Sequence, residues 1–149
     1  MNDRYLFRGK RKDNGEWIEG NLINCAFFNN DGFPIFYILD IDNIEYDCWE
    51  DIAVEIRYLE VIPETVGQCT GLKDKNGKLI FEGDIVYCKL RLDNANMVII
   101  FECGQFRMVL SENYRSYQTN SGSYDINCFD KEVIGNIHDN SLEDFRSER

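Results

Sequence analysis

The chain has 149 residues, 44% hydrophobic and 13% aromatic, with 16 Lys plus Arg against 27 Asp plus Glu and a net charge of −11. That length suits one domain or a pair of small β subdomains, and so much apolar material rules out disorder as the general state. The excess of acid opposes the counterion release that drives most nucleic-acid binding, so general DNA or RNA binding is disfavoured.

The opening Met1-Asn2-Asp3-Arg4-Tyr5-Leu6-Phe7-Arg8 lacks the apolar run and small-residue cleavage site of a secretory signal. No later window offers the roughly 20 apolar residues of a membrane span, so a cytoplasmic protein without a membrane is expected. Tyr5 to Arg8, the turn Asp13-Asn14-Gly15 and Trp17 to Ile23 read as strand, turn, strand, with Asn-Gly supplying the positive φ angles of a tight hairpin. The pattern repeats through Cys25 to Phe28, the turn Asn29-Asn30-Asp31-Gly32 and the apolar run Phe33 to Ile41. Pro34 marks a strand start or an edge, where its missing N–H costs no ladder bond.

The charge is uneven. Arg4, Arg8, Lys10, Arg11 and Lys12 crowd the N-terminus, whereas Asp40, Asp42, Glu45, Asp47, Glu50, Asp51, Glu55, Glu60 and Glu64 face only Arg57 in their stretch. Opposite patches of this kind could meet between subunits, although solvated strand and loop faces explain them as well, since surface ion pairs contribute little individually. From Asp40 to Trp49 acids alternate with apolar residues, a partial period of two that suggests half-buried strands. No EF-hand spacing is present there, so no calcium site is expected.

Val54 to Ile62 reads as a strand closed by Pro63. Next, Asp74 and Asn76-Gly77 make a tight turn, and Phe81-Glu82-Gly83-Asp84 leads into the strand Ile85 to Cys88. A turn, a Gly-Asp kink and a β-branched strand read as the opening of a small, strongly curved barrel. Met97 to Phe101 and Phe106 to Leu110 flank Glu102-Cys103-Gly104-Gln105 as a third hairpin. Tyr124 to Phe129 and Lys131 to Ile137 are further strands, Ser141 to Asp144 has capping-box spacing for a short helical turn, and residues 140–149 are polar enough to fray.

The stretch Thr70 to Val86 closely resembles the signature of the YopX family of phage and prophage proteins. Three further pieces stand in that family's order: Phe7-Arg8-Gly9-Lys10 with Trp17-Ile18-Glu19-Gly20, then Thr65 to Gly71, and Ile134-Gly135-Asn136-Ile137-His138-Asp139-Asn140. The resemblance implies a β-rich protein of a phage-infected or lysogenic bacterial host and brings no established activity. Residues 24–64 show no motif that matches the family, so whatever is peculiar to this member is expected there.

Several residues invite a chemical reading. Asp74, Glu82 and Asp84 could form an acidic catalytic or metal cluster, but turn formation, a kink at Gly83 and backbone acceptance by Asp84 explain them better. His138 is the single histidine and could pair with a thiol as nucleophile and base, yet its position reads as a partly exposed strand end. Cys25, Cys48, Cys69, Cys88, Cys103 and Cys128 contain no Cys-x-x-Cys pair, so neither disulfides nor zinc are expected, and the thiols read as mostly buried small hydrophobes. The basic stretch beside Tyr5, Phe7 and Trp17 has the ingredients of a single-strand platform, but a solvated hairpin accounts for it.

The expected fold is therefore all-β, with an N-terminal hairpin region, residues 1–64, packed on a C-terminal small SH3-like barrel, residues 65–149. No catalytic, cofactor-binding or metal site and no cofactor is expected. The expected function is a non-enzymatic accessory protein acting by protein-protein binding or self-association, with an acidic DNA mimic or nucleic-acid-associated protein as the alternative.

Overall fold

The structure is a computed structural model that describes residues 3–40, 58–91, 93–117 and 122–145, with the side chains of residues 25–27 left aside. The described strands are all antiparallel. The chain divides into two compact units, Met1–Gln68 and Cys69–Arg149.

In the first unit β1 (Phe7–Lys10), β2 (Trp17–Phe28), β3 (Pro34–Leu39) and β4 (Tyr58–Val61) lie in chain order, and Gly67 and Gln68, which open β5 (Gly67–Lys73), pair with β1. Local chemistry sets both turns. Between β1 and β2 only Gly15 has a positive φ, +73°, while Asn14 accepts from the Glu16 N–H instead of sharing the left-handed bend. The expected two-residue Asn-Gly turn is thus a longer loop, closed by Arg11 N–H donating to Glu16 O. Between β2 and β3 the Asn29 side chain accepts from the N–H groups of Asp31 and Phe33, and Pro34 is the first strand residue, as expected.

Two strand glycines let this sheet curl. A Cβ at Gly20 would lie 2.1 Å from Leu39 O and 3.0 Å from Ile38 Cγ2, and one at Gly9 would lie 3.1 Å from Val61 Cβ and 3.3 Å from Ile38 Cδ1. Glycine in a strand interior here marks close approach of neighbouring chain. Fully buried Ile38 fills the space beside both glycines. The curl brings the continuation of β1 to β4: Arg11 pairs with Val61, Ile62 N–H donates to Lys10 O and Lys12 N–H donates to Glu60 O. β4 is therefore hydrogen-bonded on both sides. Thr65 locks the corner, accepting from Lys10 N–H at 2.8 Å and donating to Ile62 O at 2.7 Å.

In the second unit the rest of β5 pairs with β6 (Leu79–Phe81). A five-stranded sheet runs β10-β9-β8-β7-β11, built from β7 (Asp84–Lys89), β8 (Asn94–Glu102), β9 (Gln105–Leu110), β10 (Ser123–Asp125) and β11 (Lys131–Asn136). Its core holds Ile80, Val86, Cys88, Met97, Ile99, Met108 and Ile126. Cys103 at φ +47° and Gly104 at φ +79° form the two-residue β8–β9 turn, both left-handed as a strand-matched hairpin requires.

Two further expectations are corrected. The strand expected over Tyr124 to Phe129 ends at Asp125, because Asn127 N–H and side chain turn back onto the Asp125 carboxylate. The C-terminal segment is docked through residue 145: a Cβ at Gly135 would lie 2.6 Å from Asn140 Oδ1 and 3.0 Å from Phe145 Cζ, and Asn96 donates to Phe145 O. A glycine on β11 leaves room for the polar tail to pack. Ser141 caps the final turn, accepting from Glu143 N–H. Most of the acidic stretch, residues 41–57, lies outside the described residues, as does the first part, 54–57, of the strand expected over Val54 to Ile62, whose remainder contains β4.

Candidate functional site

Asp74 is 7% exposed; its Oδ1 accepts from Asn76 N–H at 2.8 Å and Lys78 N–H at 2.9 Å, and its Oδ2 from Val133 N–H at 3.1 Å. Burial pushes its pKa up, but the donations of Val133, Lys78 and Asn76 outweigh that and hold it below the ordinary carboxylate range. Beside it Lys75 forms an ion pair with Glu132, to which Asn76 also donates. One carboxylate thus organises its own turn and staples it to β11.

Asp84 is 1% exposed, with Oδ2 accepting from Phe81 N–H at 2.8 Å and Oδ1 from the Asn136 side-chain amide at 3.2 Å. The Asn136 carbonyl oxygen in turn accepts from His138 N–H, and Asn136 N–H donates to Asn140 Oδ1. Gly83, at φ +84°, donates to Ile99 O and accepts from Ile137 N–H. The kink conformation expected of Gly83 is therefore present, and the two distant family motifs meet in one network.

The structure does not gather Asp74, Glu82 and Asp84 into one cluster. Asp74 bonds to β11 at Val133 and Asp84 at Asn136, on opposite sides of the bulge between Val133 and Gly135. Glu82 is half-buried; burial first and the Glu82 charge second raise the pKa of Tyr114. His138 stands exposed in the turn after β11.

Two of the four described thiols depart from the buried expectation. Cys69 and Cys88 are buried, and burial pushes Cys88 up to about 11, whereas Cys103 and Cys128 are exposed. Both exposed ones sit in the connections between strands.

At the basic end, the Arg8 guanidinium lies 4.6 Å from the Trp17 ring centre and the Lys10 ammonium 5.4 Å from it. Arg11 pairs with Asp13, and Lys12 with Glu60 at 2.6 Å. The aromatic face a base would stack on is already occupied by cations of the same hairpin.

What the sequence reading missed is a groove in the first unit, about 400 Å³ in volume, walled by Phe33, Pro34, Ile35, Val61, Ile62 and Pro63. Its rim carries Lys12, Asn29, Glu60 and Glu64. A second hollow of about 420 Å³ is bordered by Lys12, Asp13, Tyr58, Leu59 and Glu60. Phe33 is 66% exposed and Phe28 63%. Two apolar-Pro pairs, Phe33-Pro34 and Ile62-Pro63, were the available signal, since each Pro halts a ladder beside a bulky apolar side chain.

Comparison with known proteins finds that the family described as "YopX protein" matches residues 6–143. The crystal structure of protein EF1440 from Enterococcus faecalis is similar at 25% identity, covering 89% of this chain and 92% of that one, with a TM-score of 0.49. No curated protein matches. Among the described residues, no helix is long and apolar enough to cross a membrane.

Proposed function

Because the chain belongs to the YopX family, matched over residues 6–143, we propose that it is a non-enzymatic accessory protein of a phage or prophage, working in the host cytoplasm by binding another protein. The observation that carries this reading is how the signature is used. Asp74 and Asp84, the groups an acid-base or metal-assisted hydrolase would present to substrate, are buried and accept from backbone N–H groups and Asn136. The surface instead offers an apolar groove beneath exposed Phe33. Large exposed apolar patches rimmed by polar residues mark interaction sites.

We also read residues 65–149 as an SH3-like barrel. Support comes from the left-handed bend at Gly83 and the bulge in β11, two devices that coil a sheet.

Crosslinking in phage-infected host cells, followed by mass spectrometry, tests the binding reading: one specific host or phage protein crosslinked to the chain is expected. Turnover of phosphodiester, glycoside or ester substrates abolished by Asp84→Asn or His138→Ala in folded protein would overturn it.

A further inference from the structure

We propose that the groove of the first unit receives an extended, aliphatic segment of another protein that carries a lysine or arginine, with that cation settling at Glu64 and Glu60. This deepens the protein-binding reading and rests on it.

The walls supply the apolar half of the chemistry. Phe33, Pro34, Ile35, Ile62 and Pro63 offer no charge to a partner, and about 400 Å³ suits a few side chains of a segment lying in the groove. The two hollows share Lys12 and Glu60 and follow each other along residues 58–64. Residues 58–62 are extended before the helical turn at Pro63–Thr65 and span roughly 16 Å, the length of an extended peptide of about five residues.

The rim supplies the charge. The residues bordering the two hollows include Asp13, Glu60 and Glu64 against Lys12 alone. Asp13 is held by Arg11 and Glu60 by Lys12, whereas Glu64 is exposed and has no ion pair among the described residues. The chain as a whole carries −11, so a cationic segment is drawn in and an acidic one, or a phosphate backbone, is repelled. The Lys12–Glu60 pair is itself exposed, with 58% and 35% of the side chains open to solvent, so an incoming cation can replace Lys12 at little cost.

The test uses the full chain and fluorescein-labelled octapeptides of Leu, Val and Pro bearing one central Lys, Arg, Gln or Glu, with binding read by anisotropy. The Lys and Arg peptides are expected to bind roughly tenfold tighter than the Glu peptide, and more weakly as salt shortens the screening length to about 10 Å at 0.1 M. Phe33→Ser and Glu64→Lys alter exposed side chains, so each should melt like the parent while weakening the Lys peptide about tenfold; Glu64→Lys should also shift preference toward the Glu peptide. The proposal is overturned if no peptide binds at millimolar concentration, if the Glu peptide binds equally, or if Glu64→Lys changes nothing. It is also overturned if sedimentation shows the parent dimerising through the groove and Phe33→Ser dispersing the dimer. A specific crosslinked partner together with failed peptides would sink the groove's occupant and leave the broader reading standing.

Discussion

Replacing Gly20 with alanine tests the claim that the first unit is a curled sheet tightened around Ile38. The new Cβ would lie 2.1 Å from Leu39 O, where ordinary contact begins at 3.4 Å, and the opposing atom is backbone that cannot rotate away. Relief requires β2 and β3 to part by about 1 Å beside the pair Asn21↔Leu39, weakening one or two ladder bonds worth about 1 kcal/mol each. Overpacking against Ile38 adds about 1 to 3 kcal/mol, so the total is about 2 to 5 kcal/mol, a large part of the 5 to 15 kcal/mol that holds a typical domain. Two controls grade the claim. Gly9→Ala meets side chains at 3.1 and 3.3 Å and should cost about 1 to 2 kcal/mol. Gly15→Ala meets nothing within 4 Å and should cost only its left-handed strain, about 1 kcal/mol. Urea melts followed by tryptophan fluorescence report on this unit, because both tryptophans, Trp17 and Trp49, fall within Met1–Gln68. A Gly20→Ala midpoint equal to the parent's, or a smaller loss than for Gly15→Ala, would refute the close-approach argument.

Asp84→Ala leaves Phe81 N–H and the Asn136 amide in a buried site without their acceptor and should cost about 2 to 4 kcal/mol by circular dichroism melt, against about 1 to 2 for Asp84→Asn. Gly83→Val should cost about 1 to 3 kcal/mol from strain at φ +84°, since a Cβ there meets neighbours only at ordinary distances from 3.5 Å outward. The folded-state pKa of Asp74 lies below its ordinary value, so its contribution is complete above about pH 4 and is lost as pH falls through the folded pKa. An acid titration of stability should therefore be flatter at low pH in Asp74→Asn; an unchanged acid limb would show that the donated N–H groups contribute nothing. Alkylation of native protein at neutral pH should label Cys103 and Cys128, while Cys69 and Cys88 label only after unfolding; peptide mass spectrometry reads the sites, and early labelling of Cys88 would contradict its burial.

Much of the second unit's local geometry was legible in the chain, because the signals act within a few residues. Asp74 with Asn76-Gly77 is a turn by composition, Gly83 is a kink because a side chain is strained there, and the β8–β9 hairpin follows from apolar runs on either side of Cys103-Gly104. The motifs that identify the family are these same local devices, so fold class and family could both be read from the order of residues. What the carboxylates do could not, since a carboxylate's role depends on which donors surround it. Those of Asp74 include Val133, 59 positions away, and that of Asp84 is completed by Asn136, 52 positions away. The glycines at 9 and 20 likewise carry no left-handed signature; they are needed because Val61 and Leu39 pass close by, a fact of strand register that no local pattern holds. The groove belongs with them: Phe33-Pro34 and Ile62-Pro63 become one wall only when β3 and β4 pair and β4 also takes the continuation of β1. Backbone conformation is decided by neighbours in sequence, whereas burial, charge partners and surface shape are decided by neighbours in space.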